Sequence, residues 1–322
     1  MLSVIIPTYN REGLIQFTLN SLLSHLHPGV NMEIIVIDDG STDNTLDIIN
    51  TQYPQVKLLK NKGKGAPAAR NTGLAAATGK YITYLDSDDL IGEKFFAAKI
   101  AFLEKHSDTD ACYGSYDFFL SDDSFTKDQI IFKHKYKMFT DSNRYAREHL
   151  INYLGGNYLP PNSIVWRRDF LLKIKGHDES LIINQDVELF VRSIFNGLRI
   201  IAIDDNTSVY IRNHSLDNRV GNPAKATEKW QQILKIRKRF FADLKKYSFE
   251  EDECFMALSN FLFNYWKMLR QSEPAVALEY LEFAKKVYWP VSIKGNAIYR
   301  LLGMLVGPVK ATEIKYSLLK RD

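Results

Sequence analysis

Three carboxylates crowd the end of an apolar run: in "YLDSDDL", residues 84–90, Asp86, Asp88 and Asp89 follow the β-favouring stretch Tyr81 to Leu85. Carboxylates this close repel one another and raise each other's pKa, so an ionised cluster needs a cation or a hydrogen-bond network to hold it. All-oxygen ligands favour Mg²⁺ or Mn²⁺ over zinc, and Mg²⁺ usually bridges one or two carboxylates to substrate phosphates. The ligand this implies is a nucleotide or another phosphate compound. Two more polar clusters also close apolar runs: Pro7-Thr8-Tyr9-Asn10 after "SVII", and Asp38-Asp39-Gly40-Ser41 after "EIIVID". Each is also an ordinary turn or cap composition, and Ser41 or Thr42 ahead of "DNTLDII" reads equally as a helix N-cap.

What could bring the three clusters together is the alternation of the first hundred residues. Strand-like "SVIIP", "EIIVID", "VKLLK" and "YITYL" are separated by helix-like stretches over 11–25, 42–52 and 66–78, a pattern that predicts a parallel sheet with helices on both faces. "EIIVID" and "YITYL" lack polar alternation, as central strands buried on both sides do. Polar groups following such strands sit at the sheet's carboxyl edge, where ligands of open α/β sheets bind. Residues 110–220 mix further strands, "ACYGSYDFFL" and "SIVWRR", with a helix "QDVELFVRSIF" that Gly197 can end. From about residue 225 apolar residues recur at helical spacing and Pro274 stands near a helix start, which predicts a separate helical appendage.

The totals exclude several classes. With 42 Lys+Arg against 38 Asp+Glu in 322 residues, the net charge of +4 makes no case for nucleic acid, and none is expected as a partner. Cys112 and Cys254 stand far apart without zinc or disulfide spacing. The start, "MLSVIIPTYN", lacks the basic region of a signal peptide. No stretch approaches the roughly 18 to 20 apolar residues of a membrane span. A cytoplasmic protein, peripheral at most to the inner membrane face, is expected.

"SVIIPTYNR", "VIDDGSTDNT", "GAPAARNTGLAAATGKYITYLDSDD" and "HDESLIINQDVELFVR", in that order, resemble a family 2 glycosyltransferase over roughly residues 2–215. That resemblance implies an inverting, nucleotide-sugar-dependent enzyme of GT-A fold: a mixed, mostly parallel sheet flanked by helices, with the helical region appended. It divides the chain into a catalytic domain, 1–222, and a helical region, 223–322. The catalytic domain would comprise a nucleotide-binding half, 1–110, and an acceptor-side half, 111–222.

The resemblance puts Pro7, Thr8 and Tyr9 beside base and ribose, with Asp39, and also Asp38, at the edge of a base that is most often uracil. Arg70 would lie near ribose or phosphates, and Gly73 would permit close helix packing. Asp86 would face the ribose or a metal-bound water and Asp88 the Mn²⁺ or Mg²⁺ ion, whereas Asp89 is open to a second role, capping a helix near Gly92. The family's base is the Asp of a Glu-Asp pair opening a helix; here the pair reads Gln185-Asp186, which leaves Asp186 in place, with Glu188 as a nearby alternative. His214 would ligate the metal or steady the departing diphosphate. The implied partners are a nucleoside-diphosphate sugar and a glycan or lipid-linked acceptor of surface polysaccharide synthesis.

Two rivals remain at this level. A phosphatase of the haloacid dehalogenase type also places Asp-x-Asp after an apolar strand, but near the chain's start and not with Leu90 in the fifth position of "DSDDL". A sugar-nucleotide-binding protein without transfer is the other. The tail, "VYWPVSIKGNAIYRLLGMLVGPVKATEIKYSLLKRD", interleaves apolar and basic residues. It could lie on an anionic membrane, pack on the catalytic domain or seat a second subunit.

Overall fold

The apolar runs become strands in the computed structural model, which describes residues 1–23, 30–119, 130–134, 142–203, 208–212, 226–249, 251–289 and 303–319. β1 (Leu2–Thr8), α1 (Ile15–Leu23), β2 (Met32–Asp38), α2 (Thr45–Gln52), β3 (Lys57–Lys60), α3 (Gly65–Ala76) and β4 (Tyr81–Tyr84) follow in the predicted alternation. β5 (Leu90–Ile91), α4 (Phe95–Lys105), β6 (Ala111–Tyr113), β7 (Ser115–Phe119), β8 (Ile130–His134) and α5 (Ser142–Gly155) come next. A 3₁₀ turn (Pro161–Ser163), β9 (Ile164–Arg167), α6 (Arg168–Lys173), α7 (Gln185–Phe195), β10 (Ile200–Ala202) and β11 (Ser208–Arg212) complete this part.

Seven strands form one sheet in the order β10-β6-β9-β4-β1-β2-β3, parallel except for β9, which runs against both neighbours. β1 is central and every residue from Leu2 to Ile6 is buried. Its pleat sends Val4 and Ile6 into the core containing Ile15 and Leu19 of α1. Ile5 points the other way, against α3, so closely that a Cβ at Gly73 would lie 2.3 Å from Ile5 Cγ2. The expected close helix packing at Gly73 is therefore present. The register sets Thr8 opposite Asp38 and Ile5 opposite Tyr84, so β1, β2 and β4 release their following loops at one edge. The chain steps from β1 to β2 to β3 in one direction, then returns past β1 to β4. That is the topological switch point at which such sheets open a crevice.

The second half differs from its reading in one respect. "ACYGSYDFFL" is two strands, split at Gly114: β6 completes the large sheet, and β7 leaves it for a four-stranded sheet, β5-β11-β7-β8. The small sheet pairs β7 with β11 in parallel and its other strands antiparallel.

The chain divides into two compact units, 1–147 with 159–220, and 148–158 with 221–322. Residues 148–158, read as part of the catalytic half, group with the helices. That second unit contains α8 (Ala226–Lys246), α9 (Asp252–Leu269), α10 (Pro274–Val287) and α11 (Pro308–Leu319). Pro274 sits in the first turn of α10, where its missing N–H costs nothing. The fully buried Arg237 donates to the Tyr153 carbonyl and the Tyr158 hydroxyl and lies 3.9 Å over the Phe261 ring. Of the tail, 290–302 and 320–322 lie outside the described residues. Met304 and Leu305 are 82% and 73% exposed, and no described helix is long and apolar enough to cross a membrane.

Candidate active site

The loops after β1 and β2 are laced together. Asn10, in the left-handed region at φ 50°, donates its N–H to Ser41 Oγ at 2.9 Å and accepts from Thr42 N–H at 2.8 Å; Arg11 N–H donates to Thr45 Oγ1 at 2.7 Å. Ser41 is thus occupied by Asn10 and does not cap α2, which begins at Thr45 behind Asn44. Asp38, buried, accepts from the N–H groups of Gly40 and Ser41 and braces the turn. It is not among the residues that line the cleft, so the nucleotide role read for it has no geometric support.

The cleft holds about 530 Å³ and is lined by Pro7, Thr8, Tyr9, Asn10, Arg11, Asp39, Ala66, Ala69, Asp86, Ser87 and Asp88. Six of the residues singled out by sequence, Pro7, Thr8, Tyr9, Asp39, Asp86 and Asp88, meet here. Tyr9 is half exposed and offers a ring to a flat base. Asp39 is held from behind: Asn61 Nδ2 donates to its Oδ1 at 2.7 Å, and Gly65 N–H donates to both oxygens. Its remaining lone pairs can only accept, which suits the N–H edge of a base.

The three carboxylates after β4 take different roles. Asp88 lies 3.7 Å from Arg11 Nη2, the only formal positive charge among the described residues lining the cleft. Asp86 accepts from Arg70 Nη2 at 2.8 Å. Enclosure pushes its pKa up against the opposing pull of Arg70, and Asp186 and Asp88 add to the rise. Asp89 turns inward, accepting from Asn162 Nδ2 and from Arg212 N–H. Burial, followed by Asp86 and Asp88, drives its pKa well above the usual carboxylate range. The helix-cap alternative for Asp89 fails: the strand β5 follows it directly, and α4 starts only at Phe95 behind Lys94.

Arg70 is also reassigned by its surroundings. Its guanidinium, 4% exposed, donates to Asp86 and lies with Nη1 3.4 Å from Asp186 Oδ1, so it joins the two carboxylates instead of lining the cleft. Asp186 sits in the first turn of α7, where the helix dipole favours a carboxylate. Its pKa falls to about 2; burial opposes the fall, and Arg70 and then His177 more than offset it. Glu188 is unavailable as a base, because it is buried and paired with Arg192 at 2.7 Å. His214 lies outside the described residues.

Arg11, Asn61, Asn71 and His177 escaped the sequence reading. Arg11 directly follows the quoted "PTYN", and His177 opens the quoted "HDESLIINQD", but their partners are 77 and nine residues away. No periodicity marks such pairings.

Asp86 and Asp88 supply the hard oxygen donors that Mg²⁺ or Mn²⁺ prefers. Among the described residues no group of three or more His, Cys, Asp or Glu could hold a metal ion. These carboxylates therefore fit a divalent cation whose remaining ligands are phosphate oxygens and water, and do not fit an all-protein cage.

Residues 3–170, just over half the chain, match the family model described as Glycosyl transferase family 2. The poly(ribitol-phosphate) beta-N-acetylglucosaminyltransferase TarS of Staphylococcus aureus is 38% identical over 108 residues, 32% of this chain and 19% of that protein. An Escherichia coli protein named UDP-Glc:alpha-D-GlcNAc-diphosphoundecaprenol beta-1,3-glucosyltransferase WfgD is 36% identical over 119 residues, 36% of this chain and 46% of that one. The chain spans less than half the length of the curated relatives it matches. Among solved structures, S. aureus TarS 1–349 in complex with UDP-GlcNAc aligns at a TM-score of 0.64 and 20% identity, covering 89% of this chain and 81% of that one. The fold is the GT-A fold expected from the sequence.

Proposed function

The chain belongs to glycosyl transferase family 2, and from that premise we propose an inverting transfer of a sugar from a nucleoside diphosphate, UDP foremost, to a hydroxyl of a glycan or lipid-linked acceptor. The observation that carries the reading is the Arg70 bridge, which ties Asp86, on the wall of the cleft, to Asp186, at the start of a helix a hundred residues on. The nucleotide side and the proton-accepting side of a displacement thereby share one guanidinium.

In this reading Asp39 and Tyr9 hold the base, and Asp86 the ribose. The acceptor oxygen attacks the anomeric carbon from the face opposite the diphosphate and gives its proton to Asp186. The bond to the diphosphate breaks, and its electron pair passes to the terminal phosphoryl oxygen. With a pKa near 2, Asp186 is ionised at every working pH but weakly basic. It takes the proton late, once bond formation has made the attacking oxygen acidic. Asp88, with Asp86, would hold Mg²⁺ or Mn²⁺, and the ion would supply Lewis-acid charge for the leaving diphosphate. Arg11, beside Asp88 in the same cleft, offers a second cation there.

The relatives' names favour a poly(ribitol-phosphate) or a diphosphoundecaprenol-linked sugar as the kind of acceptor. The exposed Met304 and Leu305, with Lys310 and Lys315 following, suit peripheral contact with an anionic membrane that carries such a lipid.

The test is UDP release from UDP-glucose and UDP-N-acetylglucosamine, with Mn²⁺ and with EDTA. Asp88→Ala should lose the gain in UDP affinity that the metal confers, and Asp186→Asn should lose turnover while binding UDP normally. Wild-type turnover in both variants, or no nucleotide bound by the parent protein, would overturn the assignment.

A further inference from the structure

Asp186 does not stand alone. His177 Nε2 lies 3.3 Å from Asp186 Oδ1, the same oxygen that Arg70 Nη1 approaches at 3.4 Å. Among the described residues no other side chain donates to Oδ2. We propose that His177 is a positioning residue: its Nε2–H fixes Oδ1 of Asp186, leaving Oδ2 as the oxygen that takes the acceptor's proton. The inference rests on the reading of Asp186 as the base.

The tautomer follows from burial. The imidazole side chain is fully enclosed, and its Nδ1 has no hydrogen-bond partner. A proton on Nδ1 would bury an unpaired donor, at a cost of about 1–3 kcal/mol, and would turn two lone pairs against each other at Nε2 and Oδ1. On Nε2 the proton meets a carboxylate, in a charge-assisted hydrogen bond. Burial lowers the pKa of the ring, and Arg70 and Arg192 add to that effect against Asp186. Neutral in this tautomer or protonated, the ring carries a hydrogen on Nε2, so His177 remains a donor to Asp186 Oδ1.

The ring is also held. Asn71 accepts the His177 N–H at 2.8 Å and returns its amide to the His177 carbonyl at 2.9 Å and to Glu179 Oε1 at 2.8 Å. Gly176, at φ 59°, lets Asn71 come this near, since a Cβ there would lie 2.3 Å from Asn71 Oδ1. The Tyr84 ring meets the imidazole edge-on at 4.9 Å. With Oδ1 hydrogen-bonded to the fixed His177 and ion-paired with Arg70, the Asp186 carboxylate resists rotation about Cβ–Cγ, and Oδ2 is preorganised.

Two variants separate positioning from mere packing. His177→Phe fills the space without a donor; His177→Gln keeps an N–H in reach. Phe should lower kcat for UDP release from UDP-glucose or UDP-N-acetylglucosamine by about 10- to 100-fold, with KM and UDP affinity unchanged. It should also move the acid limb of the kcat profile upward, because Asp186 then loses a donor while still facing Arg70, Asp86 and Tyr84. Gln should restore both. ¹⁵N-imidazole NMR of the parent protein should show Nε2 of His177 protonated from pH 5 to 8. A Phe variant that binds UDP and keeps both kcat and acid limb, a lost kcat that Gln does not rescue, or an Nδ1–H tautomer would overturn the proposal. If Phe fails to fold, the Gln and Asn variants, only the first of which reaches Asp186, decide by the same readouts. Absence of UDP release by the parent protein would defeat the transferase reading instead, and the NMR result would still decide the hydrogen bond.

Discussion

Replacing Arg70 by Met removes a buried guanidinium from between two carboxylates while keeping much of its apolar bulk. Arg70 is 4% exposed, Asp86 40% and Asp186 32%, at 2.8 and 3.4 Å from it. Removing one partner of a buried ion pair costs about 3–5 kcal/mol, and water reaching carboxylates this open reduces that to about 2 kcal/mol. The sign with pH is fixed by Asp186. Its folded pKa of about 2 lies below the ordinary 3.8, so it adds stability above pH 3.8 that is lost as pH falls toward 2. In the Met variant Asp86 and Asp186 face each other uncompensated and both pKa values rise. The variant therefore regains stability from both acids as pH falls through those raised values, whereas in the parent only Asp86, whose pKa is already raised, contributes in that direction. Hydrogen exchange of peptides covering β4 and the first turn of α7, corrected for the intrinsic rate, should show about 30-fold less protection near pH 7.5. That difference should shrink toward pH 4. A deficit equal at both pH values would mean that Arg70 contributes only packing, and the bridge would be refuted. Arg70→Lys keeps a charge but lacks the fork that spans both acids, and should recover only part of the loss.

Asp186→Asn should reduce UDP release about 10²- to 10⁴-fold without weakening UDP binding by calorimetry; equal loss of both would make Asp186 a structural residue. Asp89→Asn should stabilise the protein at neutral pH, because a carboxyl whose folded pKa is raised loses stability as pH climbs through that pKa and an amide does not. The buried Asn162 Oδ1, which has no partner, can accept from the new amide, and a lower melting temperature at pH 7.5 than at pH 5 relative to the parent would contradict this. Met304→Asp combined with Leu305→Asp should abolish sedimentation with phosphatidylglycerol vesicles, and unchanged sedimentation would place membrane contact elsewhere or nowhere.

Much of the first unit could be read from local pattern. Continuous apolar runs gave β1, β2 and β4, and the register of β1 against both neighbours brought the three polar clusters to one edge. Where the reading failed, the deciding contact was distant. Asp89 resembles a cap until Arg212, 123 residues away, donates to it. Arg70 resembles a phosphate ligand until Asp186 arrives from α7. The split of "ACYGSYDFFL" depends on distant partners, β9 and β10 for the residues before Gly114 and β8 and β11 for those after it, and no propensity in the segment records that.

Arg70 and Asn71 are consecutive on α3, yet one reaches Asp86 and Asp186 while the other grips the loop at His177 and Glu179. The helix bearing them is pressed onto β1 at Gly73 with no slack. One peptide bond thus gauges the separation between the two halves of the reaction. On the proposed transfer, a single-residue insertion in α3 between Arg70 and Gly73 should therefore abolish UDP release from UDP-glucose and UDP-N-acetylglucosamine alike, because it breaks this shared spacing.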